Sequence, residues 1–237
     1  MANNYFKFKQ FIIHQEKCAM KVGTDGVLLG AWANCENTKH VLDIGTGTGL
    51  IALMIAQRSQ AIIDAIEIDE NACMQAQDNF QKSPWYSRIN LVHQSFQDYA
   101  TESNKKYDLI VSNPPYFQNS LYTPSEQRTK ARHNMELELS DIIDGSSKLL
   151  ANDGTLSIVL PYIEGVMFIA NAAEKGLYCV RQTNVLPKPK VAVKRLLLEF
   201  QKQRKAFVDQ DLIIELDKRH EYSDNYKNLT KDYYLFL

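Results

Sequence analysis

The chain has 237 residues, 45% of them apolar and 23% charged, with a formal net charge of −1. That balance excludes a disordered chain, a disulfide-stapled miniprotein and a polyanion binder that works by bulk charge. The longest apolar runs, "VLLGAWA" and "GLIALMIA", fall short of the ~20 residues a membrane span requires, and "MANNYFKFKQF" lacks a secretory apolar core, so a cytoplasmic protein with no membrane partner is expected. In chain order, "HVLDI" predicts a strand, "GLIALMIAQRS" a helix, "AIIDAIEI" a strand, and "DENACMQAQDNFQ" a helix with Ala72, Ala76 and Phe80 on one face. "INLVHQ" and "YDLIVS" predict two more strands. "LELSDIIDGSSKLLA" follows as a helix capped by Ser140 with Asp141 after it, then "GTLSIVLP" as a fifth strand. "EGVMFIANAAEKG" reads as a helix, and "LYCVRQTNVL" and "KRLLLEFQK" complete a mostly parallel, seven-stranded sheet with helices on both faces, an α/β fold. The stretch from 206 to 237 is less regular and is expected to dock as a C-terminal tail through its aromatics.

Cys18, Cys35, Cys73 and Cys179 form no CxxC pair and show no ligand spacing with histidine, so reduced thiols and no metal are expected. His14 is read as a core or surface histidine.

The first predicted strand ends in "LDIGTGTGL", with Gly45, Gly47 and Gly49 at alternate positions. Glycines at a strand-to-helix turn permit positive φ and let a ligand approach the backbone. The spacing departs from the dinucleotide pattern GxGxxG, since Leu50 stands where a third glycine would fall. Asp43 just before the turn would repel a pyrophosphate but suits a cationic ligand, and Glu67 at the end of the second strand can accept both ribose hydroxyls of a nucleoside. The two acids together point to S-adenosylmethionine, which carries an ammonium and a sulfonium.

"NPPYF" follows "YDLIVS" without a spacer. Two adjacent prolines cannot continue a strand ladder, so Asn113, Pro114, Pro115 and Tyr116 are predicted to form a stiff extended loop; a simple strand terminator is the alternative.

In this order and spacing, "LDIGTGTG", "AIEID" and "NPPY" resemble the Rossmann-like class I S-adenosylmethionine-dependent methyltransferases of the amino-methylating branch. "FKQFIIHQEKCAMKVGTDGVLLGAW", "NPPYF" followed by "RTKARH", and "PKPKVAVKRLLLEF" extend the similarity over nearly the whole chain, to the bacterial tRNA1(Val) (adenine-N6)-methyltransferase family. The resemblance implies a methyltransferase core over 40–205 and an N-terminal segment, 1–39, that covers the cofactor, with Lys21, Val22, Gly23 and Thr24 folded over its amino-acid end and Asp25 near them. An ordinary surface lysine is the alternative for Lys21. Ser95 and Phe96 stand at the adenine end, where the family often has an acid; the nearest acid here is Asp98.

Methylation of an exocyclic adenine amine explains the proline loop. The nitrogen lone pair is delocalised into the ring, and two acceptors, the Asn113 side-chain oxygen and the Pro114 carbonyl, would favour its pyramidal form. Tyr116 offers a stacking face for a flipped base, and Phe117 either widens that platform or anchors the loop. Lys188, Lys190, Lys194 and Arg195, together with Lys202, Arg204 and Lys205 and with Lys7, Lys9, Arg128, Lys130, Arg132 and His133, form basic stretches that would neutralise tRNA phosphates, or else are solvated surface. The alternative enzyme is an N5-glutamine methyltransferase acting on a protein such as a release factor, which holds a planar amide in the same loop.

Overall fold

A computed structural model describes residues 3–18, 20–115 and 137–236. A short antiparallel hairpin, β1 (Tyr5–Lys7) and β2 (Ile12–His14), precedes α1 (Thr24–Trp32). Alternation then begins: β3 (His40–Ile44), α2 (Leu50–Arg58), β4 (Ile62–Glu67), α3 (Glu70–Gln81), β5 (Ile89–His93), α4 (Phe96–Glu102) and β6 (Tyr107–Ser112). Beyond residue 137 come α5 (Leu139–Leu149), β7 (Leu150–Pro161), α6 (Tyr162–Glu174), β8 (Tyr178–Leu186), β9 (Arg195–Gln201), β10 (Val208–Ile213) and α7 (Asp224–Thr230).

Among the described residues, β3 to β10 form an eight-stranded sheet in the order β10-β8-β9-β7-β6-β3-β4-β5. Only β9 is antiparallel to its neighbours, and every other pairing is parallel. The eighth strand is β10, which the tail adds along β8. Farther along the chain, Tyr226 and Tyr233 are buried. In β3, β4 and β6 successive side chains enter opposite layers: Val41, Ile63 and Leu109 pack with α1 and α2, while Leu42, Ile66 and Ile110 pack with α4 and α5. Both faces are therefore covered, as crossover helices on a parallel sheet require.

Helix α1 is buried over Gly26–Trp32 because two of its glycines let it lie directly on α2. A Cβ at Gly30 would stand 2.6 Å from the Met54 sulfur, and one at Gly26 would stand 3.1 Å from Leu50 Cδ2. The cap of α5 differs from expectation. Glu138, not Ser140, is the N-cap, in a capping box with Asp141, whose carboxylate accepts the Glu138 N–H at 3.0 Å.

Candidate active site

At the carboxyl ends of β3, β4, β5 and β6 lies a cavity of about 330 Å³. It sits where the crossovers diverge on either side of β3, the place at which open α/β sheets take ligands. Its floor is the glycine turn and the end of β4, with Gly45, Gly47 and Glu67 in the lining. Gly45, Gly47 and Gly49 have φ of 68°, 57° and 84°. A Cβ at Gly45 or Gly47 would meet nothing within 4 Å, so the bare backbone there leaves room for a ligand. At Gly49 the constraint is internal: a Cβ would stand 2.4 Å from the Phe80 ring.

Three backbone amides fix Glu67. Its Oε2 accepts the Gly47 N–H at 2.8 Å, and Oε1 accepts those of Ile68 and Asp69 at 2.9 Å each. A carboxylate has about four acceptor positions, so roughly one is left for a ligand hydroxyl, where sequence reasoning assigned it two. Asp43 does not line the cavity. It is 1% exposed beneath the turn, and its Oδ2 accepts from the Thr46 hydroxyl at 2.6 Å and the Ala52 N–H at 3.2 Å. Its Oδ1 is buried with no hydrogen-bond partner among the described residues. Burial, helped by the neighbouring Glu67 charge and opposed by those two donors, pushes its pKa up to about 7.

Ser95 and Phe96 line the far wall with Gln94 and Gln97. Asp98 is not in that wall; its carboxylate accepts from the Ser95 hydroxyl at 2.7 Å, while Ser95 caps α4. Asn113 and Pro115 close the side toward β6, and Pro114 is buried behind them. The Asn113 amide nitrogen lies on the α1 side, 3.7 Å from where a Cβ at Gly26 would stand. Tyr116, Phe117, Arg128, Arg132 and His133 lie outside the described residues.

The N-terminal segment reaches the cavity through Cys18 and Met20, not through Lys21–Thr24. Lys21 instead donates to the carbonyls of Gln15 and Cys18, and Gln15 Oε1 accepts the Val22 N–H at 2.8 Å, so the polar groups here shape the segment. Asn79 ties it to the floor, donating to the carbonyls of His14 and Thr48 at 2.9 Å each. Cys18, Met20, Gln97 and Leu137 are lining residues with no motif in the sequence to announce them. Asp69, the N-cap of α3, also lines the cavity, and sequence reasoning assigned it no role.

Of the basic residues, Lys188, Lys190 and Lys194 sit on the β8–β9 turn, at the same edge of the sheet as Asn113. Arg195 is already engaged: its Nε donates to Asp25 Oδ2 at 2.8 Å, linking β9 to the start of α1. Lys202, Arg204 and Lys205 lie at the opposite edge, because β9 runs away from the site.

The profile of the methyltransferase small domain matches residues 21–172. The chain belongs to the methyltransferase small domain family. It is 50% identical over 236 residues to a Parabacteroides distasonis protein named tRNA1(Val) (adenine(37)-N6)-methyltransferase, covering 99% of each chain. A Bacteroides thetaiotaomicron protein of the same name is 49% identical, with 100% of both chains covered. Among solved structures, a predicted O-methyltransferase from Agrobacterium tumefaciens superposes with a TM-score of 0.71 at 17% identity, covering 88% of this chain and 96% of that one, a likeness of fold. The cavity fits this family's cofactor, S-adenosylmethionine. It is mostly apolar, as an adenine face requires, with one acceptor at Glu67 and an open backbone at Gly45 and Gly47. No helix among the described residues is long and apolar enough to cross a membrane, and no cluster there could hold a metal.

Proposed function

We propose that this methyltransferase transfers the methyl group of S-adenosylmethionine to the exocyclic N6 amine of adenosine 37, beside the anticodon of tRNA1(Val). The observation that carries this is that Asn113 and Pro115 line the same cavity as Glu67. The names of relatives aligned over essentially the whole chain support the substrate.

When bound, S-adenosylmethionine supplies an electrophilic methyl on a sulfonium. Glu67 takes a ribose hydroxyl at its remaining acceptor position, and the bare backbone of the glycine turn admits the amino-acid end. Ser95, Phe96 and the glutamines beside them enclose the adenine. Asn113 and Pro114 then act on the acceptor base. The Asn113 side-chain oxygen accepts one N–H of the amine, while the Pro114 carbonyl accepts the second. Both contacts strengthen as the nitrogen pyramidalises, and the prolines hold the acceptors in place beforehand. The product ammonium loses its proton to water or to one of these carbonyls, so no dedicated base is needed. Tyr116 is assigned the stacking face for the base, and Phe117, Arg128, Arg132 and His133 are assigned RNA contacts, all on sequence grounds.

The test is labelled methyl transfer to unmodified tRNA1(Val) and to the same tRNA with guanosine at position 37. Incorporation into the first and not the second is expected. Equal incorporation into both would overturn the site assignment, and transfer to a glutamine-bearing release factor with none to tRNA would overturn the substrate.

A further inference from the structure

The first two turns of α6 carry an apolar stripe on their outer side. Tyr162, Ile163, Val166 and Met167 are all exposed, Ile163 by 69% and Met167 by 59%, while the inner side buries Gly165 and Phe168. An amphipathic surface helix would place polar residues there, and a contiguous exposed patch on a soluble domain marks a contact. Glu164, half-buried, is the one acid in these two turns.

The stripe stands beside the site. Strand β7 runs parallel to β6, with Ser112 opposite Ile158, so Tyr162 lies three residues past the level of Asn113, roughly 10 Å along the strand direction. Pro161 pairs with Arg195, and α6 is pressed onto β9 so closely that a Cβ at Gly165 would stand 2.8 Å from Leu196 Cδ1. The turn that precedes Arg195 carries Lys188, half-buried and 3.9 Å from Glu215, and the exposed Lys190 and Lys194, with Val191 exposed among them. Apolar side chains, an exposed ring and unburied lysines thus share one edge with the amine acceptors.

Resting on the function proposed above, we propose that this stripe and the lysines form one surface that holds the single-stranded anticodon loop. The bases flanking the target adenosine stack on Tyr162 and pack on Ile163 and Met167, and the lysines take the adjacent phosphates. A basic track lined with ring and apolar faces is what unstacked nucleotides require, because each base brings a π-face and each phosphate a charge. A second copy of this chain or an apolar protein helix would gain from the stripe but would have no use for the lysines.

The experiment is steady-state methyl transfer to an anticodon stem–loop RNA of tRNA1(Val). Tyr162→Ala, and separately the pair Ile163→Ser with Met167→Ser, should raise KM by about tenfold or more while kcat stays near wild type, and Tyr162→Phe should keep the wild-type KM. These side chains are exposed, so the variants should melt like wild type. A 2-aminopurine placed beside the target adenosine should be quenched by the wild type and by Tyr162→Phe but not by Tyr162→Ala. Unchanged KM and quenching in the alanine variant would overturn the surface alone. A change in protein sedimentation without a change in KM would assign the stripe to self-association instead. A wild type that transfers no methyl to the stem–loop, yet does so to whole tRNA, would also overturn it; failure on both RNAs would overturn the functional proposal too.

Discussion

Two buried aspartates, one toward each edge of the sheet, have their charges treated in opposite ways. Asp64, toward the amino edge, is saturated. Its Oδ2 accepts from Tyr107 at 2.7 Å and Lys105 at 2.8 Å, and its Oδ1 accepts from Asn90 at 3.0 Å. Burial works to raise its pKa, but the donors outweigh burial and hold it below the usual carboxylate range. Asp43, under the glycine turn at the carboxyl edge, keeps one oxygen without a partner and has its pKa pushed up to about 7. The cations follow the same division. At the amino edge Lys202 donates to the Leu150 carbonyl at 2.9 Å and Arg204 lies 4.3 Å over the Tyr178 ring, whereas at the other edge Lys190 and Lys194 are exposed and Lys188 lies 3.9 Å from Glu215. At the amino edge Asp64, Lys202 and Arg204 are all engaged within the protein, whereas the carboxyl edge mixes engaged groups, Arg195 on Asp25 and Lys188 near Glu215, with an Asp43 oxygen that has no partner among the described residues and the exposed Lys190 and Lys194.

The largest expected effect lies at the saturated edge. Asp64→Ala removes the acceptor of the Asn90 amide and of Lys105 and one partner of the Tyr107 hydroxyl, which keeps its bond to Tyr99, and should cost about 3 kcal/mol at pH 7, read from denaturant unfolding without cofactor. Because the folded pKa is depressed, that stabilisation is present above the unfolded pKa and is lost as pH falls through the folded one, so the wild-type advantage should shrink in acid. Asp43 has the opposite sign. The folded state holds its proton up to about pH 7, so its contribution worsens by ~1.4 kcal/mol per unit as pH rises from 3.8 to 7. Asp43→Asn should flatten that slope. Identical pH profiles for the two variants would break the comparison.

A smaller effect separates the cations. Lys188→Ala with Lys190→Ala should weaken tRNA binding by about tenfold at low salt and reduce the slope of log affinity against log salt by about one to two. Removing Lys202, Arg204 and Lys205 together should leave both unchanged in filter binding. Equal losses would mean that tRNA reaches both edges.

How much of this was legible in the sequence depended on burial. Strands covered on both faces announce themselves as apolar runs, and "YDLIVS" spans the same residues as β6. Strand β10 escaped because it is an edge strand whose first four residues, "VDQD", are exposed, and β7 begins earlier than expected because its first residues, Leu150 and Ala151, continue the apolar pattern of the preceding helix. The turn glycines, Glu67 and Asn113 were legible since their chemistry fixes both residue type and spacing. Cys18 and Met20 were not, because they reach the cavity by the path of an irregular segment that Asn79 and Gln15 tie down, and long-range ties leave no periodic trace. Nor does clustering of charge reveal an edge: "PKPKVAVKR" and "KQRK" are separated only by β9, whose direction sets them on opposite sides of the molecule.

Single-turnover methyl transfer by Asn113→Ala, with saturating S-adenosylmethionine and unmodified tRNA1(Val), tests most directly whether the carboxyl edge is kept for chemistry. Removing one of two amine acceptors should cost at least ~2–3 kcal/mol in the transfer step, while melting temperature and cofactor affinity stay near wild type. A near wild-type transfer rate would contradict the account and reduce the proline loop to a strand terminator.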